Sequence, residues 1–157
     1  MRTPFKLRRQ RTTEDFILES NAIEGIYQDI TKEDIDEHNR FMHLKEITVD
    51  DLLNYLAVHQ PDAELRDKKG MNVRIGSYYP PVGGPDITAR LSLLLDEINN
   101  HEISPWKAHV RYEQLHPFTD GNGRSGRMIW AWMHRDLTLG FLHMFYYQTL
   151  SYDFLKE

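Results

Sequence analysis

The chain has 157 residues, 40% hydrophobic and 27% charged, the make-up of one ordinary domain with its own core. A net charge of −5 leaves no overall basic footprint for nucleic acid, and the lack of cysteine excludes disulfides and thiolate metal sites. No apolar run approaches the ~18 residues of a membrane span and no signal-peptide core follows Met1, so the expected setting is soluble and cytosolic.

The local basic cluster Arg2, Lys6, Arg8, Arg9 and Arg11 reads as a solvated N-terminal arm. A first helix follows over 12–25, "TTEDFILESNAIEG", opening on Thr and acidic residues suited to capping and closing at Gly25. "TKEDIDEHNRFMHL" and "TVDDLLNYLAVHQP" carry the spacing of a capping box, Thr31 to Asp34 and Thr48 to Asp51, with Asp in place of the usual Glu. The segment 71–85 then breaks the helical rhythm. Its brief alternation and its Gly76, Pro80, Pro81, Gly83, Gly84 and Pro85 predict a short exposed hairpin or extended flap.

"DITARLSLLLDEINN" places Ile87, Leu91, Leu94, Leu95 and Ile98 on one helical face. "SPWKAHVRYEQL" starts with Ser104 as N-cap and Pro105 at the first helical position. "RMIWAWMHRDL" is apolar nearly all round, as a central helix would be. A last helix is expected within "MFYYQTLSYDFLKE", where Tyr146, Tyr147 and Tyr152 read as core; a face for a homo-oligomer would also fall there. The fold class is therefore all-α, one domain over 1–157, with one small β-hairpin flap.

Between the fifth and sixth helices stands "HPFTDGNGRSGR", residues 116–127. Gly121 and Gly123 let successive backbone N–H groups converge on an anion, and Asn122 offers a side-chain amide to the same oxygens. Arg124 and Arg127 lie three apart on the first turns of a helix and project from about one side. Cations there oppose the macrodipole, so an anion such as a polyphosphate is expected between them. Asp120 beside phosphate oxygens calls for a bridging cation, and one carboxylate with phosphates and waters suits Mg²⁺. His116 is the candidate proton acceptor. Taken singly, each feature is ordinary: a histidine before proline is usually structural, and two arginines on a helix are usually surface charges.

As a unit, "HPFTDGNGR" followed two residues later by Arg127 resembles the signature of the Fic family. Eight specified positions at roughly 5% usage each give a chance match near 10⁻¹⁰ per start position. The resemblance implies a Fic-type helical bundle and transfer of AMP from ATP to a Tyr, Thr or Ser hydroxyl of a target protein. It implies His116 as general base, Asp120 as Mg²⁺ ligand, and Gly121, Asn122 and Gly123 as the anion hole for the α-phosphate. Arg124 would contact the β-phosphate, Arg127 would orient the γ-phosphate, and Phe118 would anchor the loop. The flap would register an extended target segment by main-chain pairing. Since Pro80 and Pro81 cannot donate, its recognising edge narrows to Arg74, Ile75, Gly76, Ser77, Tyr78 and Tyr79.

A second misplaced charge lies in the first helix. Phe16, Ser20, Ile23 and Glu24 fall in one sector of the helical wheel, so Glu24 borders the apolar stripe and also sits in the last turn, where an anion opposes the dipole. Arg127, a cation at a helix N-terminus, is the complementary oddity, and pairing the two resolves both. "SNAIEG" also resembles the Fic inhibitory motif, which implies a self-inhibited protein with Ser20 and Glu24 on an N-terminal inhibitory helix. Doc-type kinases carry Lys where Gly123 stands and bind the nucleotide reversed, so phosphorylation is disfavoured. Transfer of UMP, GMP or phosphocholine, removal of AMP, and an idle protein-binding module are the competing readings.

Overall fold

Three helices begin alike. Thr12, Thr31 and Thr48 each accept the backbone N–H three residues on, from Asp15, Asp34 and Asp51, and each of those carboxylates accepts the threonine N–H in return. In the computed structural model, which describes residues 12–135, these capping boxes open α1 (Thr13–Ile23), α2 (Lys32–Met42) and α3 (Val49–His59). The expected boxes at Thr31 and Thr48 form with aspartate as the returning acid.

α4 (Pro85–Asn99) buries Ile87, Leu91, Leu94, Leu95 and Ile98, the whole stripe read from the sequence. α5 (Pro105–Leu115) is capped by Ser104, whose hydroxyl accepts the Lys107 N–H at 3.2 Å. α6 (Asn122–His134) is the central element: it packs against α1, α2, α3 and α5, and Met128 to Trp132 are buried in succession. Its apolar circumference follows from that enclosure, because every residue from Arg124 to Trp132 is buried. Each large apolar side chain so buried contributes about 1.5–3 kcal/mol of transfer free energy.

The fold is therefore all-helical, with six helices among the described residues, and the flap is a minor addition. The flap contracts to one antiparallel bridge, in which Ile75 and Tyr78 exchange both backbone bonds at 2.9 Å. Tyr78 turns back onto α5, where its hydroxyl donates to the Gln114 carbonyl at 2.8 Å. A second isolated bridge, Leu65 to Phe118, fixes the segment ahead of α6: Arg66 N–H donates to Pro117 O at 2.9 Å and Thr119 N–H to Glu64 O at 2.8 Å. The basic cluster 2–11 and the helix expected within 144–157, with its tyrosines, lie outside the described residues. No helix among the described residues is long and apolar enough to cross a membrane.

Candidate active site

α5 ends at His116, which closes the helix in the left-handed region at φ 50°. That conformation, uncommon for a residue with a Cβ, swings the chain off the helix axis into the extended run 117–119. Five residues after His116, Gly121 is the N-cap of α6, again left-handed at φ 75°. A Cβ on Gly121 would stand 2.6 Å from Leu56 Cδ2, so glycine is required there by both dihedral and space. No side chain caps α6. Its first intrahelical bond is Ser125 N–H to Gly121 O at 3.0 Å, and the N–H groups of Asn122, Gly123 and Arg124 open the helix without an intrahelical acceptor.

These groups face a cavity of about 650 Å³, within the range of small-molecule sites. His116, Asp120, Gly121, Asn122, Gly123 and Arg124 line it together with Glu24 and Gln60, and the flap contributes Arg74 and Ile75. Most of the residues singled out in the sequence therefore meet around one space. Of the flap residues, Tyr78 is bound to α5, while Gly76, Ser77 and Tyr79 are exposed and do not line the cavity.

The His116 ring is held by its Nδ1, 3.3 Å from the Glu113 carbonyl oxygen. A bond to a carbonyl requires the proton on Nδ1, which leaves the Nε2 lone pair free to accept one. Burial, with the Arg66 cation adding to it, pulls the His116 pKa down to about 4, against weaker upward pulls from the Glu113 bond and nearby carboxylates. The imidazole is thus neutral at physiological pH. Asp120 is exposed at the rim, where its Oδ1 accepts the Gly121 N–H at 2.8 Å.

One expectation is corrected. Asn122 does not present its amide to an anion: Oδ1 accepts the Phe118 N–H at 2.9 Å and Nδ2 donates to the Phe118 carbonyl at 2.8 Å. At 2% exposure the side chain is committed to the loop. It clamps Phe118, itself fully buried, so what this helix end leaves open toward the cavity is its backbone N–H groups. Sequence alone could not distinguish these uses of an amide.

The two arginines differ. Arg124 reaches the cavity wall, where Nη2 donates to Gln60 Oε1 at the end of α3. Arg127 is fully buried beneath it. Its Nε donates to Ser20 Oγ at 2.9 Å, and its Nη2 to the Ser20 carbonyl at 2.9 Å and to Glu24 Oε1 at 2.8 Å. Nη1 is buried with no partner. The pairing inferred from two misplaced charges is present, and α1 supplies both halves of the cradle. Gly123 permits it, because a Cβ there would collide with the Glu24 carboxylate and stand 3.0 Å from Arg127 Nη1.

Three residues escaped the sequence reading. Glu113, one turn before His116, is buried in the cavity wall with Oε1 unpartnered, and burial pushes its pKa up to about 7. The signal available was its (i, i+3) spacing from His116. Gln60 gave no signal beyond preceding Pro61. Arg66, in "ELRDKKG", looks like one of a run of surface charges yet is fully buried.

No group of three or more His, Asp or Glu side chains stands ready as a metal cage among the described residues. The Asp120 carboxylate at the rim fits an ion that takes its other ligands from phosphates and water, as Mg²⁺ does. No curated protein matches the chain. The Fic/DOC family matches it over residues 22–134, from the last turn of α1 to the end of α6 and including every cavity residue named above. That span is well over half of the sequence, and the chain belongs to the Fic/DOC family.

Proposed function

We propose that the protein transfers AMP from ATP to a hydroxyl of a target protein, and that Glu24 restrains this activity from within the chain. The family commonly moves AMP or other groups onto proteins, which frames the reading without fixing the group. The observation that carries it is the convergence on one cavity of an uncapped helix N-terminus, a neutral histidine and a rim carboxylate, with Arg127 held from below.

The nucleotide's α-phosphate lies against the N–H groups that open α6, where orphan donors and the helix dipole both favour an anion. Arg124 faces the β-phosphate. Asp120 would hold Mg²⁺, which when bound neutralises phosphate charge. The target hydroxyl attacks the α-phosphorus, its proton passes to His116 Nε2, the bond to the bridging oxygen breaks, and pyrophosphate leaves. The flap, through Arg74 and Ile75 over the cavity, places the target segment.

Restraint follows from the Glu24 contact. A γ-phosphate needs the guanidinium of Arg127, but Glu24 and Ser20 already occupy its Nε and Nη2. ATP then binds without its terminal phosphate fixed, and in-line departure of pyrophosphate is lost. Displacing α1 releases the guanidinium. Intact mass after incubation with MgATP tests the reaction: an AMP adduct on the Glu24→Gly chain or on lysate proteins is expected, and UMP, GMP or phosphocholine adducts from the matching donors alone would replace AMP in this account.

A further inference from the structure

Arg66 is fully buried, yet among the described residues no acidic side chain pairs with it. Burial alone therefore pulls on its charge, and what satisfies the guanidinium is backbone. Nε donates to the His116 carbonyl at 2.7 Å and Nη2 to the Leu115 carbonyl at 2.9 Å. These are carbonyls of the last turn of α5, which have no helical partner and carry the negative end of the dipole. Nη1 donates to Met71 O at 3.1 Å and Pro81 O at 2.9 Å, the two feet of the flap. The residue's own N–H donates to Pro117 O, and its carbonyl accepts the Gly84 N–H, both at 2.9 Å. One side chain thus grips the backbone that carries the histidine and the backbone on both sides of the hairpin.

We propose that Arg66 is a positioning residue that holds the target-docking flap in fixed register with His116. The proposal rests on the functional reading above, in which the flap places the hydroxyl that His116 deprotonates. The need is geometric: flap and histidine belong to segments about forty residues apart, and an offset of about 1 Å between base and nucleophile can cost ~10²-fold in rate. A buried guanidinium suits the task because its planar fork of five N–H donors reaches four carbonyls in fixed directions, whereas an ammonium offers three donors from a single atom. An ordinary structural ion pair would have used a carboxylate.

Two measurements test it. In the first, amide exchange of the unsubstituted chain is followed by mass spectrometry in rising urea, comparing peptides over 71–81 and 115–121. A common opening step for the two is expected, and it should persist in a Tyr78→Phe chain, which lacks the flap's other bond to α5, since the Arg66 tie must still break for either to open; two separate openings in that chain would overturn the proposal. In the second, Arg66→Lys and Arg66→Gln are placed in the Glu24→Gly chain, and AMP incorporation into itself and into lysate proteins is measured against MgATP. Arg66→Lys should lower kcat about tenfold, and Arg66→Gln more, with the KM for MgATP within about twofold. An unchanged kcat, or a loss carried by KM for MgATP alone, overturns it. A Glu24→Gly parent that transfers no AMP would instead sink the functional reading, and the exchange measurement would still decide Arg66. The same measurement decides it if the Arg66 variants fail to fold.

Discussion

The amino ends of α1, α2 and α3 and the amino end of α6 solve the same problem in opposite ways. The first three each carry a threonine cap, a returning aspartate and acidic residues in the first turn. In each, two of the orphan N–H groups are bonded by side chains and acidic residues face the positive end of the dipole. α6 has a glycine cap without a side-chain bond, no acid in its first turn, and Arg124 where an acid would be favoured. Left to itself such an end is less stable by roughly 0.5–2 kcal/mol for the missing cap. The difference separates helix ends that the chain closes with its own side chains from one that it leaves open: the residues that open α6 line the cavity, and their N–H groups have no intrahelical acceptor.

On that comparison, the largest losses come from the groups around the cavity that act on the reacting hydroxyl and on the phosphates. His116→Ala should lower AMP transfer by ~10²–10⁴-fold while MgATP affinity, read by calorimetry, stays within a few-fold. Transfer at the parental rate would remove the histidine from the reaction. Asp120→Ala should cost ~10²-fold or more and abolish the response to added Mg²⁺; full activity in EDTA would contradict the assignment of the rim carboxylate.

Smaller effects sharpen the contrast through packing. Gly123→Ala should lower the stability of the otherwise unsubstituted protein by ~1–3 kcal/mol, because the new methyl meets the Glu24 carboxylate. In the Glu24→Gly background most of that cost should vanish, and thermal unfolding of the four chains reads it directly. Equal costs in both backgrounds would mean that Glu24 does not cross Gly123.

The smallest effect is pH-dependent. Burial lowers the folded-state pKa of His38 to about 4, of His109 to about 3 and of His116 to about 4. Below their ordinary value of ~6.5 the unfolded chain binds more protons than the folded one, so stability falls as pH drops from about 6.5 toward 4. Glu113, raised to about 7, works the other way: its folded form binds the extra proton between its ordinary carboxylate range and about 7, and stability from it declines as pH rises through that window. Glu113→Gln should therefore steepen the loss of Tm from pH 6.5 to 4.5. An unaltered slope would place the Glu113 carboxyl in a wetter site than its burial implies.

The sequence made the helices legible because they obey local rules: the Thr–Asp spacings at 31–34 and 48–51 and the Ser104–Pro105 start all appear as read. The stripe on α4 is legible for the same reason, since periodicity reports the buried face. The cluster 116–127 was legible as a departure from those rules. Charge imbalance also gave the Glu24–Arg127 contact, two residues 103 apart whose oddities cancel. What sequence could not give was the destination of side chains with several uses. Asn122 spends its amide on Phe118, Arg66 turns inward to carbonyls, and Gln60 meets Arg124 only because α3 ends beside α6. Each depends on long-range placement that no local pattern encodes.

The central claim is that Glu24 restrains transfer by holding Arg127. AMP incorporation from labelled ATP, measured for the unsubstituted chain, Glu24→Gly, Arg127→Ala and the double variant, tests it most directly. A guanidinium released to a phosphate gains charge-assisted bonds of ~1.5–3 kcal/mol, so Glu24→Gly alone should raise transfer about 10- to 100-fold. In the Arg127→Ala background the same substitution should change nothing, because the shared partner is gone. Equal transfer by the unsubstituted and Glu24→Gly chains, or the same activation with and without Arg127, would contradict the account.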